Sequence, residues 1–462
     1  VRGVVLIIAV LSAVFSVGLI VRLSSSMSQK EHSVTSREDR SSVRRTPNVA
    51  SPEQSGDATI NHHEELIAEK IASAPLEDKP QTASHEKRSR RLIDESDAAK
   101  EEENFLFQTK TASAPSCSTP LSPSDVKFTL VTQFSSDRLW MFPYHCSRIP
   151  NDVPISMVVY TDKSVDDVYN EIEQSGMCHA NFRNHTTVQT LSTQNYDKGE
   201  YPVNKLRNMA LSAVQTSHVM YIDIDFWESF NLFSTLSSPS VTYELANDAQ
   251  LAIVVPAFQL MRQCREYREC PEKNIPVMPS TQEELFNLVQ EKQVFMFDPT
   301  NAGGHGSTLY KEWAMEQYVG DLLELPCIKS NRYEPYLAFR YCEELPPFQE
   351  QFNGYGKNKM TWVMQLRQTG YKFAQLGGAF VIHYPHLDSS SRLEWNKAPK
   401  QVRGHTPKKV HDVDWKKYKR GINDAIFIQF REWLRSDVKD TSRVLLCDDA
   451  QDDDAKLWVD RD

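Results

Sequence analysis

Residues 219–226 of this 462-residue chain read Val-Met-Tyr-Ile-Asp-Ile-Asp-Phe, an apolar run that closes on two aspartates. Val219, Tyr221, Ile222, Ile224 and Phe226 make it apolar on both faces, the pattern of a strand inside a mostly parallel sheet covered on each side. In an extended strand Asp223 and Asp225 point the same way, about 7 Å apart at Cα. Two carboxylates at a buried strand end repel each other and lose hydration, so they need a compensating cation. Oxygen ligands suit Mn²⁺ or Mg²⁺, bound by one or two carboxylates together with substrate phosphates. The expectation is an Asp-x-Asp metal and diphosphate site; the bland alternative is a strand end carrying two solvent-facing acids.

The surrounding pattern supports a buried sheet. Residues 128–132 and 155–160 read as strands, with a helix over 137–146 between them. Ser164 and Asp167 form a helix start ahead of Val165, Val168, Tyr169 and Ile172 on one face. A second amphipathic helix over 204–215 feeds the aspartate strand, residues 251–258 form another buried strand, and Thr281 with Glu284 caps a further helix. Strands alternating with helices predict an α/β sheet with crossover helices. Two glycine loops follow, at 301–308 and 353–359. The first lacks the Lys-Ser/Thr ending of a P-loop, which excludes that nucleotide-binding class. The second leads into a helix with Met360, Val363 and Met364 inward, capped near Gly370; residues 379–386 then form a strand ending in His383 and His386. A last amphipathic helix spans 422–435, with Ile422, Ile426, Phe430 and Trp433 as its apolar face.

The ends differ from this middle. Residues 4–21 are almost wholly apolar, enough at 1.5 Å per residue to span a bilayer core of about 30 Å. The expected organisation is a cytoplasmic end (1–3), a signal anchor (4–21), a disordered lumenal stalk (22–125), one catalytic domain (126–436) and an acidic tail (437–462); a cleaved signal peptide is the rival for the anchor. Within the stalk, residues 64–71 offer a transient helix and Arg88-Ser-Arg-Arg91 fits the Arg-x-x-Arg convertase pattern. A net charge of −10, from 52 Lys and Arg against 62 Asp and Glu, argues against nucleic acid as a partner. The eight cysteines form no C-x-x-C pair, so a thiolate zinc site is not expected. Cys264 with Cys270 and Cys327 with Cys342 are the shortest closures; buried free thiols are the alternative. Asn184-His-Thr186 is an N-glycosylation sequon, meaningful in a lumenal protein.

Several tracts, in order, resemble glycosyltransferase family 49, the glucuronyltransferase domain of LARGE-type enzymes and the related beta-1,4-glucuronyltransferases. They are Thr-Leu-Val-Thr-Gln-Phe-Ser-Ser-Asp-Arg-Leu at 129–139, Tyr-Pro-Val-Asn-Lys-Leu-Arg-Asn-Met-Ala at 201–210 leading into Asp223-Ile-Asp225, and Val-Pro-Ala-Phe at 255–258. Gly-His-Gly-Ser-Thr at 304–308, Glu334-Pro-Tyr336, Phe-Asn-Gly-Tyr-Gly-Lys-Asn-Lys at 352–359 and His-Tyr-Pro-His at 383–386 follow. The resemblance implies a GT-A fold (a Rossmann-like mixed sheet flanked by helices, one globular domain), a UDP-sugar donor, a divalent metal and a Golgi membrane anchor. Two departures stand out: Lys357 where the family commonly has tryptophan, beside the acceptor cleft, and Gln349 where it has aspartate, two residues before Gln351 in place of a basic residue.

The expected activity is therefore inverting transfer of a sugar, glucuronic acid by resemblance, from a UDP-sugar to a glycan or glycoprotein acceptor in the Golgi lumen. Asp223, Asp225, His383 and His386 are the candidate metal ligands. Asp162, Asn204, Arg207, Asn208, His305, Gly354, Gly356 and Lys359 are the candidate donor contacts. The base that takes the acceptor proton is sought at Glu350, with Glu343 and Glu344 behind it. The rival classes are a metal-dependent phosphohydrolase using the same aspartates, and a non-catalytic member that binds glycan or partners.

Overall fold

A computed structural model describes residues 107–448 apart from 112, 198, 265–268, 316–318 and 397–414. The expected anchor, the 64–71 helix and the Arg88–Arg91 site lie outside the described residues. Among those described, no helix is long and apolar enough to cross a membrane.

Among the described residues, twelve strands form two sheets. They are β1 (Phe128–Ser135), β2 (Ile155–Tyr160), β3 (Thr186–Leu191), β4 (His218–Tyr221), β5 (Phe226–Glu228), β6 (Leu251–Val255), β7 (Ala257–Leu260), β8 (Val294–Met296), β9 (Leu322–Glu324), β10 (Tyr336–Arg340), β11 (Lys372–Leu376) and β12 (Val381–His383). The large sheet runs β3-β2-β1-β4-β10-β6-β11-β9, and the small one β5-β12-β7-β8. In the large sheet β10 and β9 run against their neighbours, while β3, β2, β1 and β4 are parallel, as are β6 and β11. Every residue of β1, β2, β4 and β6 is buried, including the polar Thr129, Thr132, Gln133, Ser135, Ser156 and His218 interspersed among the apolar ones, so these strands are covered on both faces. Alternate residues serve opposite faces: Leu130, Met157, Met220 and Ile253 join one core, Val131, Val158, Val219 and Val254 the other.

Four helices matter to the site: α1 (Val165–Gln174), α2 (Val203–Ser212), α3 (Asn358–Gln368) and α4 (Trp415–Ser436). Ser164 caps α1 by the expected reciprocal bonds with Asp167. Leu206 and Ala210 of α2 and Trp362, Val363 and Leu366 of α3 fill the second core. A third, smaller core gathers Met360 and Met364 of α3 with Phe427, Phe430 and Leu434 of α4. Of the expected face of α4, Phe430 joins this core and Ile426 and Trp433 pack against it, while Ile422 is exposed.

Four expectations need correction. The strand expected over 219–226 ends at Tyr221; residues 222–225 turn, Phe226 N donating to Asp223 O at 2.9 Å, and the chain resumes as β5 in the other sheet. The strand over 251–258 divides at Pro256, which has no N–H for a ladder, and β6 and β7 lie in different sheets. Residues 107–125, expected as stalk, are tied to the domain: Gln108 N donates to Gln349 Oε1, Thr111 N to Glu343 O, and Cys117 bonds Cys342. Residues 437–448, expected as tail, fold back likewise through Arg443 with Asp248 and Cys447 with Cys327.

The other disulfides are Cys146–Cys178 and Cys264–Cys270, so no described cysteine is free. Only the 264–270 closure was legible. Pairing needs Cα atoms within about 7 Å, which the fold provides for residues remote in sequence.

Candidate functional site

The order β2-β1-β4 sends the chain to one side of β1 and then to the other, a reversal of the kind at whose strand carboxyl ends open α/β sheets bind ligands. Arg138 follows β1, and Asp223 and Asp225 follow β4. The turn bearing the aspartates is also the step between sheets, so β12 of the small sheet delivers His383 beside it: His383 pairs in register with Phe226.

Asp225, His383 and His386 converge. His386 Nε2 lies 2.6 Å from Asp225 Oδ2, His383 Nε2 lies 3.8 Å from the same oxygen, and the two Nε2 atoms are 3.3 Å apart. Together they are the group of three acidic or imidazole ligands among the described residues whose atoms lie close enough to share a metal ion. His386 Nδ1 donates to the Leu387 carbonyl at 2.7 Å, and Arg138 Nη2, 2.8 Å from Nδ1, donates to the same carbonyl, which fixes the ring with Nε2 toward Asp225. Tyr384 N donates to Asp225 O at 2.8 Å. Burial opposes ionisation of Asp225, but the bond from His386 and the charges of His386, His383 and Arg138 hold its carboxyl well below the ordinary range. Desolvation holds His383 down at about 4, against the pull of Asp225, so its ring is neutral and able to ligate at neutral pH. One carboxylate and two imidazoles on a half-open surface fit a divalent first-row transition metal ion.

Asp223 departs from the expected metal set. Its Oδ1 accepts from Tyr221 OH at 2.8 Å, and its Oδ2 from Tyr336 OH and Lys359 Nζ, each at 2.9 Å. Arg207 Nη2 approaches Oδ1 to 3.5 Å. Desolvation would raise this carboxyl, but Lys359 and Arg207 outweigh it and bring it to about 2. Lys359 Nζ also sits 4.0 Å from the Tyr336 ring centre. Arg207, almost fully buried, donates from Nε to Tyr221 OH and from Nη1 to Asn204 and Asn358, which orients it rigidly. Asp223 therefore anchors two cations, while Asp225 faces the histidines.

The remaining expected residues divide. Asn204 joins the network through Arg207 and donates to Gln349 O at 2.7 Å. His305 lies behind it, its ring 5.1 Å from Phe297, which packs on His383 in turn. Asp162 is not brought in; its carboxylate accepts from Ser192 and Thr193 and pins the turn after β3. Asn208 braces Phe348 and the Glu350 carboxylate, and among the described residues no hydrogen bond or ion pair joins Glu350 to the aspartates or histidines. Glu343 pairs with Ser116 and Glu344 lies near Lys110, both at the N-terminal segment. Gly354 and Gly356 have φ of +72° and +100°. A Cβ on Gly354 would lie 2.1 Å from Trp395 Nε1, so this glycine serves packing of the loop. Lys357, expected beside the acceptor cleft, is instead committed to Asp424 of α4, and Gln349 clamps Gln108 and Gln365.

Arg138, Tyr221, Tyr336 and Glu334 were missed as site residues. Glu334 is desolvated and raised above the ordinary range, opposed by Lys359 and Arg207, and accepts from the Met360 N–H in the first turn of α3. The signal for these groups was the need of a buried carboxylate for donors and cations, which sequence alone does not locate.

A model of the family described as "Glycosyl-transferase for dystroglycan" matches residues 166–412. The chain is similar to "Xylosyl- and glucuronyltransferase LARGE2" of Mus musculus, at 31% identity over 61% of this chain and 37% of that protein. With "Xylosyl- and glucuronyltransferase LARGE1" of Mus musculus the figures are 29%, 58% and 32%. The chain thus spans about a third of the length of these relatives. A crystal structure of GalNAc-T7 with UDP, GalNAc and Mn²⁺ aligns at a TM-score of 0.36 and 11% identity, over 58% of this chain and 47% of that one, too remote to argue from. The family match covers more than half of the chain and contains the aspartate turn, α2, α3 and both histidines, so the chain belongs to that family and is a glycosyltransferase.

Proposed function

We propose that this enzyme has a GT-A fold and transfers a sugar from a UDP-sugar to a glycan or glycoprotein hydroxyl, with inversion, in the Golgi lumen. The observation that carries the proposal is the convergence of Asp225, His383 and His386 next to the buried Lys359–Asp223–Arg207 cluster. When bound there, Mn²⁺ or Mg²⁺ supplies positive charge to a diphosphate as its bond to the sugar breaks. Asp225 and the two imidazoles hold that charge in place. Lys359 and Arg207, fixed by Asp223, Tyr221 and Asn204, add a preorganised positive field at the same edge of the sheet. Asn204 contributes through Arg207, with His305 packed behind. Gly354 and Gly356 shape the loop that leads into α3, while Asp162 and Asn208 brace segments outside this cluster. Glucuronic acid and xylose are the first donors to test, since the relatives are named for both.

Four disulfides support an oxidising compartment. A membrane anchor over 4–21 and a stalk after it complete the proposed topology. Incubating the purified domain with a panel of UDP-sugars, acceptor oligosaccharides and Mn²⁺ tests the reading. Metal-dependent transfer that Asp225→Asn lowers at least 100-fold is expected. Phosphate release without transfer would replace it with hydrolysis, and binding without turnover would leave a non-catalytic glycan-binding member.

A further inference from the structure

His145 and Glu228 form a pair with almost no exposure, at 1% and 0% of their side-chain surface, behind the site. His145 Nδ1 meets Glu228 Oε2 at 2.8 Å, and its Nε2 meets the Ile224 carbonyl at 2.9 Å. A carbonyl only accepts, so Nε2 carries a proton; the other ring nitrogen shares one with the carboxylate. Arg148 closes the group, donating to the Glu228 carbonyl at 2.8 Å and to the Pro279 and Met278 carbonyls at 2.9 and 3.2 Å, with Glu284 as a further charge nearby. Glu228 Oε1 has no partner among the described residues.

As a source of stability this is a poor arrangement, because burying charge costs about what pairing returns, and apolar side chains of similar volume serve at least as well. Its connections are more specific. Ile224 immediately precedes Asp225, so the bond from His145 fixes the peptide that aims the Asp225 carboxylate. Glu228 ends β5, whose pairing with β12 sets His383 opposite Phe226. Asp225 is thus gripped from two sides, by Tyr384 N on its own carbonyl and by His145 on the one before. The same segment carries Arg138, which orients His386.

We propose that His145 and Glu228 are positioning residues, holding the Asp225 peptide and the β5–β12 register in the arrangement that binds the divalent ion. This rests on the metal site proposed above. The test is titration of purified protein with Mn²⁺ alone, followed by the paramagnetic resonance of the free ion, alongside thermal unfolding. The variants are His145→Leu with Glu228→Met, Asp225→Asn, His145→Gln and His145→Ala. The apolar double variant is expected to keep its Tm while losing at least tenfold in Mn²⁺ affinity, the scale of lost outer-shell support. The Gln amide can still donate to Ile224 O, so His145→Gln should stay within about threefold of wild type while His145→Ala falls tenfold. A folded double variant that binds Mn²⁺ like wild type overturns the proposal. If the double variant does not fold, equal affinities of His145→Gln and His145→Ala overturn it instead. Wild type binding no Mn²⁺ in an Asp225-dependent way would overturn both this inference and the metal site.

Discussion

Asp223 shows how much a single carboxylate can hold together. Lys359 and Arg207 have side-chain exposures of 10% and 4%, and Asp223 is their counter-charge. Asp223→Asn should therefore destabilise the fold by roughly 2–3 kcal/mol, below the 3–5 of a fully buried broken pair because the carboxylate is partly exposed. Asp223→Asn together with Lys359→Met should recover part of that loss, and urea unfolding measures both. Two other residues set an acid response. Burial holds His218 near 3, with help from Arg340, and His305 near 3, with help from Lys359, against 6.5 for each when exposed. Between those values the unfolded chain binds more protons, so stability is full above about pH 6.5 and falls as pH drops toward 3. Urea midpoints between pH 7 and 4 should decline by this route, and His218→Gln should lower the slope by about one proton.

Among the elements, the two steps between sheets place the site. β4 passes to β5 through the aspartates, and β6 passes to β7 through Pro256. The sequence announced the buried runs, the caps at Ser164 and Thr281 and the two acids. It did not announce that each run belongs to two sheets, because four to five apolar residues look alike in either. The arrival of His383 and His386 was legible as a strand end bearing ligands. The hands holding Asp223 were not: Tyr221, Tyr336 and Lys359 come from β4, β10 and α3, and only their packing brings them together. The α4 face was legible at Ile426, Phe430 and Trp433; it also takes in Phe427 and Leu434 and leaves Ile422 exposed. Phe430 of α4 is fully buried against Phe352, with ring centres 5.9 Å apart, and against Phe107 at 5.5 Å. Phe430→Ala should cost about 3–5 kcal/mol and release the 107–111 segment, read as faster amide exchange there than in β1.

For the whole molecule, the cysteines and the single sequon make separate forecasts. The chain contains one Asn-x-Ser/Thr site, Asn184, exposed near the start of β3 at the edge of the sheet away from the candidate site. Protein from a secreting host should lose one glycan's mass on enzymatic deglycosylation, and Asn184→Gln should abolish that shift with transfer activity unchanged. Breaking Cys117–Cys342 by a Ser pair should cost about 2–5 kcal/mol of unfolding free energy. Cys117 has its partner 225 residues downstream, and Cys327 waits 120 residues for Cys447. A ribosome delivers the amino end first, so Cys146 and Cys178 emerge while Cys117 still lacks its mate. Wrong clasps are thus on offer throughout synthesis, and the yield of active enzyme should follow the host's capacity to reshuffle thiols more closely than its rate of translation.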